Sequence, residues 1–334
     1  MPLSSPLVLL ALAATLAMPL GARAQSGSGF LAVANQVDHT ALLVDLSTNA
    51  VLAKVEVGVN GHELAVSPDR RLAYVPIYGN SGVGKPGTDG HSIDIVDLQK
   101  HALAGHIDLG KAVRPHCAKF GPGGYLYVSA ELASAVYIVD VNARKVIGEI
   151  PTGAIEAHMF VLSPDGHRLY TANVGAGSVS VLDVDNRKLL KVIPVSRQVQ
   201  RISISPDGRH VYTHDQDSSR IAVIDTATSE VRDWIKLPAS VYSSAITSDG
   251  RSLLANSTSG KLFVWDLQTG KLANTFDIPP ANGEISINSS NSRAYVSCPS
   301  AGNIQILNLQ TWKLEVPLTL TRGVDGLAWF ATPE

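Results

Sequence analysis

The chain has 334 residues, 45% hydrophobic and 17% charged, with 27 basic against 29 acidic side chains and a formal net charge of −2. That balance excludes an intrinsically disordered chain and supplies enough apolar material for a large core. Near-neutrality also argues against nucleic acid as a partner, and two cysteines, Cys117 and Cys298, allow no disulfide framework.

Residues 7–20 read LVLLALAATLAMPL, an apolar run shorter than the roughly 20 residues that span a bilayer. Small residues at Ala22 and Ala24 follow, as at a signal-peptidase site. The expectation is a signal peptide over 1–24, cleaved after Ala24, and a mature chain of 25–334 in the periplasm or outside the cell. No later stretch has 18 consecutive apolar residues, so no transmembrane segment is expected after cleavage.

From residue 29 onward one pattern recurs. An apolar strand leads into a Ser-Pro-Asp-Gly type of turn, then a Tyr-containing strand, then a strand ending in Asp. The turns are Ser67-Pro-Asp69, Gly121-Pro-Gly-Gly124, Ser163-Pro-Asp-Gly166, Ser205-Pro-Asp-Gly208, Thr247-Ser-Asp-Gly250 and a degenerate Asn288-Ser-Ser-Asn291. Proline presets φ, and Asp and Gly tolerate the tight positions that join two strands. The strand-ending residue falls at Asp45, Asp97, Asp140, Asp183, Asp225, Asp266 and Asn308, at spacings of 52, 43, 43, 42, 41 and 42. Because this acid recurs in nearly every unit, it reads as a turn acceptor rather than a chemical group.

Seven units of short strands with no long 3.6-residue period predict an all-β, seven-bladed β-propeller with four-stranded blades. The first unit opens at Phe30-Leu-Ala-Val-Ala-Asn35, which matches the second strand of the others. Its missing first strand is expected from Gly326-Leu-Ala-Trp-Phe330, so that one blade is closed by both ends of the chain and no open sheet edge remains.

Ser163-Pro-Asp-Gly-His-Arg-Leu-Tyr-Thr-Ala-Asn173 with Ser178-Val-Ser-Val-Leu-Asp183, and Arg201 to Thr213 with Ile221-Ala-Val-Ile-Asp225, resemble units of the YVTN-type repeat propellers. The resemblance covers the mature chain and implies a secreted, periplasmic or surface protein. Related propellers include lactonase-like enzymes, d1-haem domains and quinoprotein dehydrogenase subunits. Trp265-Asp266 occurs once without a Gly-His partner, which does not make a WD repeat.

Propeller topology brings one position of each unit to the upper mouth of the channel. Five residues before the turn serine, that column reads His62, His116, His158, Gln200, Tyr242, Gly283 and Asp325. Closure makes Asp325 the neighbour of His62, so Asp325, His62, His116 and His158 should form an arc. Imidazoles and a carboxylate are donors for zinc, copper or ferrous iron, and a single His could instead ligate haem. The alternatives are an organic ligand or acid–base role without metal, and imidazoles that line a polar channel or satisfy backbone groups. One residue further along stand Glu63, Arg201 and Glu284. Glu131, Asn173 and Asp215 come from the loops between second and third strands.

The unit with the longest spacing carries its extra residues at Tyr78 to His91, a polar and glycine-rich lid candidate at the same mouth. Lys85, Asp89 and His91 are its side chains able to reach inward. Gly79 to Lys85 mimics a phosphate loop, but Pro86 stands where Ser or Thr should bind magnesium. No G-x-S-x-G elbow occurs. Cys117 reads as a small buried hydrophobe. The readings that follow are a ligand-binding or interaction module acting through the mouth on a small ligand or a periplasmic protein, a metal- or haem-binding propeller, or a lactonase-like hydrolase.

Overall fold

The computed structural model describes Met1, residues 29–83 and residues 85–332. Met1 apart, the leader and its cleavage site lie outside the described residues. The chain forms seven antiparallel sheets, each wound outward from the axis. Blade 1 runs Val324–Phe330, Phe30–Asn35, Thr40–Asp45, Ala50–Glu56, and blade 2 runs Ala65–Val66, Leu72–Gly79, Asp89–Asp97, Ala102–Asp108. Blades 3 to 6 follow the same order, their inner strands being Pro115–Phe120, Ala157–Leu162, Val199–Ile204 and Ser244–Ile246. Blade 7 begins at Ile285–Ile287, and its outer edge is split into Lys313–Leu314 and Leu318–Thr319, both paired with Asn303–Asn308. The expected closure is present: Val324–Phe330 pairs with Phe30–Asn35, with Phe30 opposite Phe330 and Val33 opposite Leu327.

The strands read as they do because of where they lie. Second and third strands are covered on both faces by neighbouring blades and are mostly apolar, as in Leu31 to Ala34 and Val136 to Val139. Outer strands such as Ala102–Asp108 and Lys188–Pro194 are mostly exposed and keep one buried anchor, Ile107 and Ile193. The core is thus a set of seams between blades. Val33, Leu42, Tyr295, Ile304 and Leu327 fill the seam that joins blade 7 to blade 1.

The repeated turn residues are structural, as the sequence implies. Ser67, Ser163 and Ser205 donate their hydroxyls to Asp69, Asp165 and Asp207 at 2.5–2.6 Å. The strand-ending acids accept backbone N–H groups of the following turn: Asp97 from Gln99 and Lys100, Asp225 from Ala227 and Thr228, Asn308 from Gln310 and Thr311. Cys117 and Cys298 are both free and buried. Burial pushes the Cys117 thiol up to about 11, which suits a packing residue.

Leu327 is nearly fully buried in the closing seam. Leu327→Ala is expected to lower stability by about 2–5 kcal/mol in urea unfolding. A chain ending at Arg322 lacks the inner strand of blade 1, and its thermal unfolding by circular dichroism should lose the single cooperative transition.

Candidate functional site

The upper mouth is built by a backbone device that four adjacent blades share. Two residues before Asp325, His62, His116 and His158 stand Gly323, Asn60, Arg114 and Glu156, all left-handed, with φ of 91°, 58°, 53° and 54°. The corresponding residues of blades 5 to 7, Gln198, Ser240 and Ala281, do not have positive φ. A non-glycine residue in this region costs about 1–2 kcal/mol, so three such turns beside the arc store strain where the side chains must be aimed. The inner strands then carry β-bulges: register breaks between Pro115 and Ala118, Ala157 and Met159, and Val199 and Ile202. A bulge interrupts strict alternation. Consecutive residues can therefore both serve the channel, as His62 with Glu63 and Gln200 with Arg201 do. Neighbouring blades pin this backbone: Ser129 donates to the His158 carbonyl and Ser297 to that of Val324, both at 2.7 Å. Inner strands crowd so closely that a Cβ on Gly326 would lie 2.8 Å from Glu63 Cα.

The structure brings the expected arc together. His62 Nε2 lies 3.5 Å from Asp325 Oδ2. The His62 and His116 rings have centroids 4.4 Å apart, and those of His116 and His158 are 3.6 Å apart with a 37° tilt. At the far end, His158 Nδ1 is held by Glu131, whose other oxygen accepts from the Tyr78 hydroxyl at 2.9 Å. His158 Nε2 faces the Gln200 side-chain nitrogen at 2.9 Å, and Gln216 donates to the Gln200 oxygen at 2.6 Å. An amide N–H₂ can only donate. His158 Nε2 is therefore the acceptor, and Nδ1 carries the proton toward Glu131.

The residues one step further along form a second tier. Arg201 donates to Glu63 at 2.5 Å across the channel, lies 3.7 Å from Asp325, and has its guanidinium 5.2 Å from the centre of the Tyr242 ring. Glu284 is hydrogen-bonded to Glu63 and accepts from the Leu327 N–H at 2.9 Å.

Electrostatics follow from this burial. Burial lowers His62 to about 3, opposed by Glu63 and assisted by Arg201 and His158. Burial also holds His116 well below its ordinary value, with His158 and His62 adding to the effect. Burial raises Glu284 to about 8, assisted by the Glu63 charge and opposed by Lys119. Asp325 rises to about 7 by burial, against the pull of Arg201. Glu63 stays below the usual carboxylate range, because Arg201 and His62 overcome the cost of its burial.

The mouth is also where hydrogen bonding is left incomplete. Among the described residues, the buried side-chain atoms without a partner include both nitrogens of His116, both of His214, Nδ1 of His62, Nε and Nη2 of Arg201, Oγ of Ser243 and Oδ1 of Asp325. Such atoms are rare in folded proteins, and here most belong to His62, His116, Arg201, Asp325 and their neighbours, with Thr40 and Trp329 as exceptions elsewhere.

Other sequence candidates lie elsewhere. Lys85 and His91 are exposed, and of the three lid candidates Asp89 alone turns to the mouth, where it binds Arg114. The reason is register: strand pairing extends to Gly79 and Asp89, and within Asp89–Asp97 His91 falls on an exposed position. Asn173 is spent on Thr171, Ser178 and Ser180, and Asp215 on Ser218 and Arg220, all within their own blades. Among the described residues no group of three or more His, Cys, Asp or Glu side chains is placed to hold a metal ion. The His62 and His116 rings meet edge to face, those of His116 and His158 are tilted by 37°, and both nitrogens of His158 are engaged. Sequence reasoning missed Arg114, Lys119 and His214. Arg114 had a signal, two residues before His116, but reading it required the left-handed turn. His214 lies on a second strand, outside the column that was compared, and burial lowers it to about 4. A wider cleft of about 750 Å³ between blades 5 and 6, lined by Asp207, Tyr212, Arg232 and Trp265, contains none of the mouth residues.

The fold and mouth define a seven-bladed propeller with a buried acid–base cluster at one end of its channel. The family model for lactonases with a seven-bladed β-propeller matches residues 61–240, more than half of the sequence, and the chain belongs to that family. No curated protein matches it. Among solved structures, hydrazine synthase of Kuenenia stuttgartiensis is similar at 19% identity and a TM-score of 0.70, over 84% of this chain and 92% of that one. A functionally unknown protein from Desulfotomaculum acetoxidans is similar at 13% identity and a TM-score of 0.75, over 92% of this chain and all of the other. At these identities the likeness is one of fold.

The depressed histidines make stability depend on pH. Unfolded, His62, His116 and His214 bind protons near pH 6.5; folded, they refuse them until well below. Their contribution is complete above pH 6.5 and falls as the pH drops toward 4. Asp325 and Glu284 are raised, so their contribution is complete below pH 4 and falls as the pH rises through about 7 and 8. His116→Gln should flatten the loss of stability between pH 6.5 and 4 by up to about 1.4 kcal/mol per pH unit. Asp325→Asn should gain relative to the parent between pH 5 and 8, both read from urea midpoints.

Proposed function

We propose that the upper channel mouth binds a small lactone and hydrolyses it to the hydroxy acid. The observation that carries this reading is the juxtaposition of Arg201 and Asp325. Both are buried, their side chains form an ion pair at 3.7 Å, and each presents polar atoms that have no hydrogen-bond partner. Membership of the lactonase family supports the same reading.

The chemistry follows from the groups present. The lactone carbonyl oxygen accepts from the free N–H groups of Arg201, which stabilise the negative charge that develops there. Asp325, kept in place by His62, takes a proton from water as the water oxygen attacks the carbonyl carbon. The tetrahedral adduct collapses, the ring C–O bond breaks, and Asp325 returns the proton to the departing oxygen. The new carboxylic acid loses its remaining proton to solvent, its carboxylate leaves from beside Arg201, and the site is regenerated. A carboxyl group that titrates near 7 suits a base working at neutral pH.

The apolar run at 7–20 and the small residues that follow it support action outside the cytoplasm, and the turn sequences support a YVTN-type repeat within the family. A mouth that binds a hydroxy acid without turning over its lactone would make the chain a binding module instead.

A panel of five- and six-membered lactones, followed by acid release in a pH-stat, tests the reading. The rate should climb with pH through about 7. Asp325→Asn should lower kcat about 10²–10⁴-fold, and Arg201→Lys about 10²–10³-fold. Absence of acid release from the panel, in a protein whose fold is intact by circular dichroism, would overturn it.

A further inference from the structure

The insertion of blade 2 is joined to the mouth by a continuous chain of charged and hydrogen-bonded groups. At its base, Asp89 accepts from Ser81 at 2.5 Å and from both Nε and Nη2 of Arg114, at 3.1 and 2.9 Å. Arg114 is itself nearly buried, with its guanidinium 5.6 Å from the centre of the Tyr78 ring. Its other terminal nitrogen lies 3.6 Å from Glu131 and 3.7 Å from Glu156. Glu131 is almost completely buried and receives the Tyr78 hydroxyl on one oxygen and His158 Nδ1 on the other. Three elements of three different blades thus meet on one carboxylate, and Asp89 ties them to the base of the loop.

We propose that Arg114 is a positioning residue that couples the Asn80–Thr88 loop to His158: Asp89 fixes Arg114, Arg114 and Tyr78 fix Glu131, and Glu131 fixes the tautomer and ring plane of His158. Each link carries geometric information. Asp89 takes two nitrogens of the guanidinium on a single oxygen, which sets its rotation. The left-handed backbone at Arg114, φ 53°, is a strain that this anchoring offsets. With Nδ1–H committed to Glu131, only Nε2 of His158 accepts, and it points to the Gln200 side of the mouth. The His116 ring lies against that ring, tilted by 37° with centroids 3.6 Å apart, so a turn of His158 is passed to the next imidazole. A ligand that displaces the loop would therefore reset the orientation of the arc without touching it. The coupling is a property of the protein alone; only its kinetic consequence rests on the lactone reading above.

The test is tautomer-resolved NMR on protein with ¹⁵N-labelled histidine, using long-range ¹H–¹⁵N correlation and His158→Asn to assign the signal. The parent should show His158 protonated at Nδ1 and bare at Nε2. Asp89→Asn keeps the shape of the side chain and removes its charge. It should move both His158 nitrogens toward an averaged or Nε2–H pattern, with Glu131→Gln moving them further and Arg114→Lys less than Arg114→Gln. On a lactone that the parent turns over, Asp89→Asn should lower kcat about 10–100-fold with KM within about twofold, the signature of misplacement rather than lost binding. His158 signals that are unchanged in Asp89→Asn and Arg114→Gln would overturn the proposal, whatever the activity. Signals that move in a protein with no lactone turnover would uphold the coupling and remove the hydrolytic reading instead.

Discussion

Closure of the ring is the constraint on which the rest of this molecule depends. Blade 1 has no inner strand of its own at the N-terminal end, and Val324–Phe330 supplies it from the other end of the chain. The pairing removes a sheet edge, fills the seam between blades 7 and 1, and sets Asp325 beside His62 although 263 residues separate them in the sequence. Without closure there is no channel, and the mouth loses the carboxylate at one end of its imidazole file. Stability and chemistry therefore draw on the same nine or so residues of the C-terminus.

The mouth itself is an electrostatic compromise. Four imidazoles, four carboxyl groups and two guanidiniums are buried or partly buried together at this end of the channel. Such a cluster is stable only if most charges are paired or suppressed. Arg201 and Glu63 remain charged as a pair; His62 and His116 stay neutral; Glu284 keeps its proton at neutral pH. Asp325 is the exception, poised where a small change in its surroundings decides its ionisation. Groups whose environments push their pKa values apart are how one site holds an acid and a base together. The unsatisfied nitrogens of His116, His214 and Arg201 point the same way, because a folded chain tolerates them where something else supplies the bond.

How much of this was legible in the sequence varies with the range of the interaction. Turns are local, so Ser163-Pro-Asp-Gly166 announces its own geometry, and the spacing of Asp45 through Asn308 counts the blades without any three-dimensional information. The arc was legible because repetition turns a column of the sequence into a ring in space. Its second tier was noticed but not understood: strict alternation puts Glu63 and Arg201 on the opposite face from His62 and Gln200, and only the bulges, which leave no mark in composition, cancel that rule. His91 stands outside the mouth for a related reason, since an insertion looks like a loop throughout while strand pairing continues into both of its ends. Arg114 and Glu131 escaped pairing in the sequence because neither belongs to the repeated column; they meet only through Tyr78 and His158.

Left-handed residues connect these levels. The bottom turn between third and fourth strands uses one in each blade, from Asn49 and His101 to Trp312, as a uniform device for reversing the chain. At the top, the position two residues before the inner-strand column takes the same conformation only in the four adjacent blades that carry Asp325, His62, His116 and His158. A repeat architecture would be expected to treat its blades alike, so a strained turn confined to one side of the ring marks where the repeat has been bent to a purpose. The strain falls on Asn60, Arg114 and Glu156, and one of those three side chains, Arg114, is a link in the chain of contacts from the loop to His158 while Glu156 lies 3.7 Å from it. The asymmetry of the backbone and the asymmetry of the chemistry therefore coincide on blades 1 to 4, while blades 5 to 7 contribute the guanidinium, the phenol and the second carboxyl that face them across the channel.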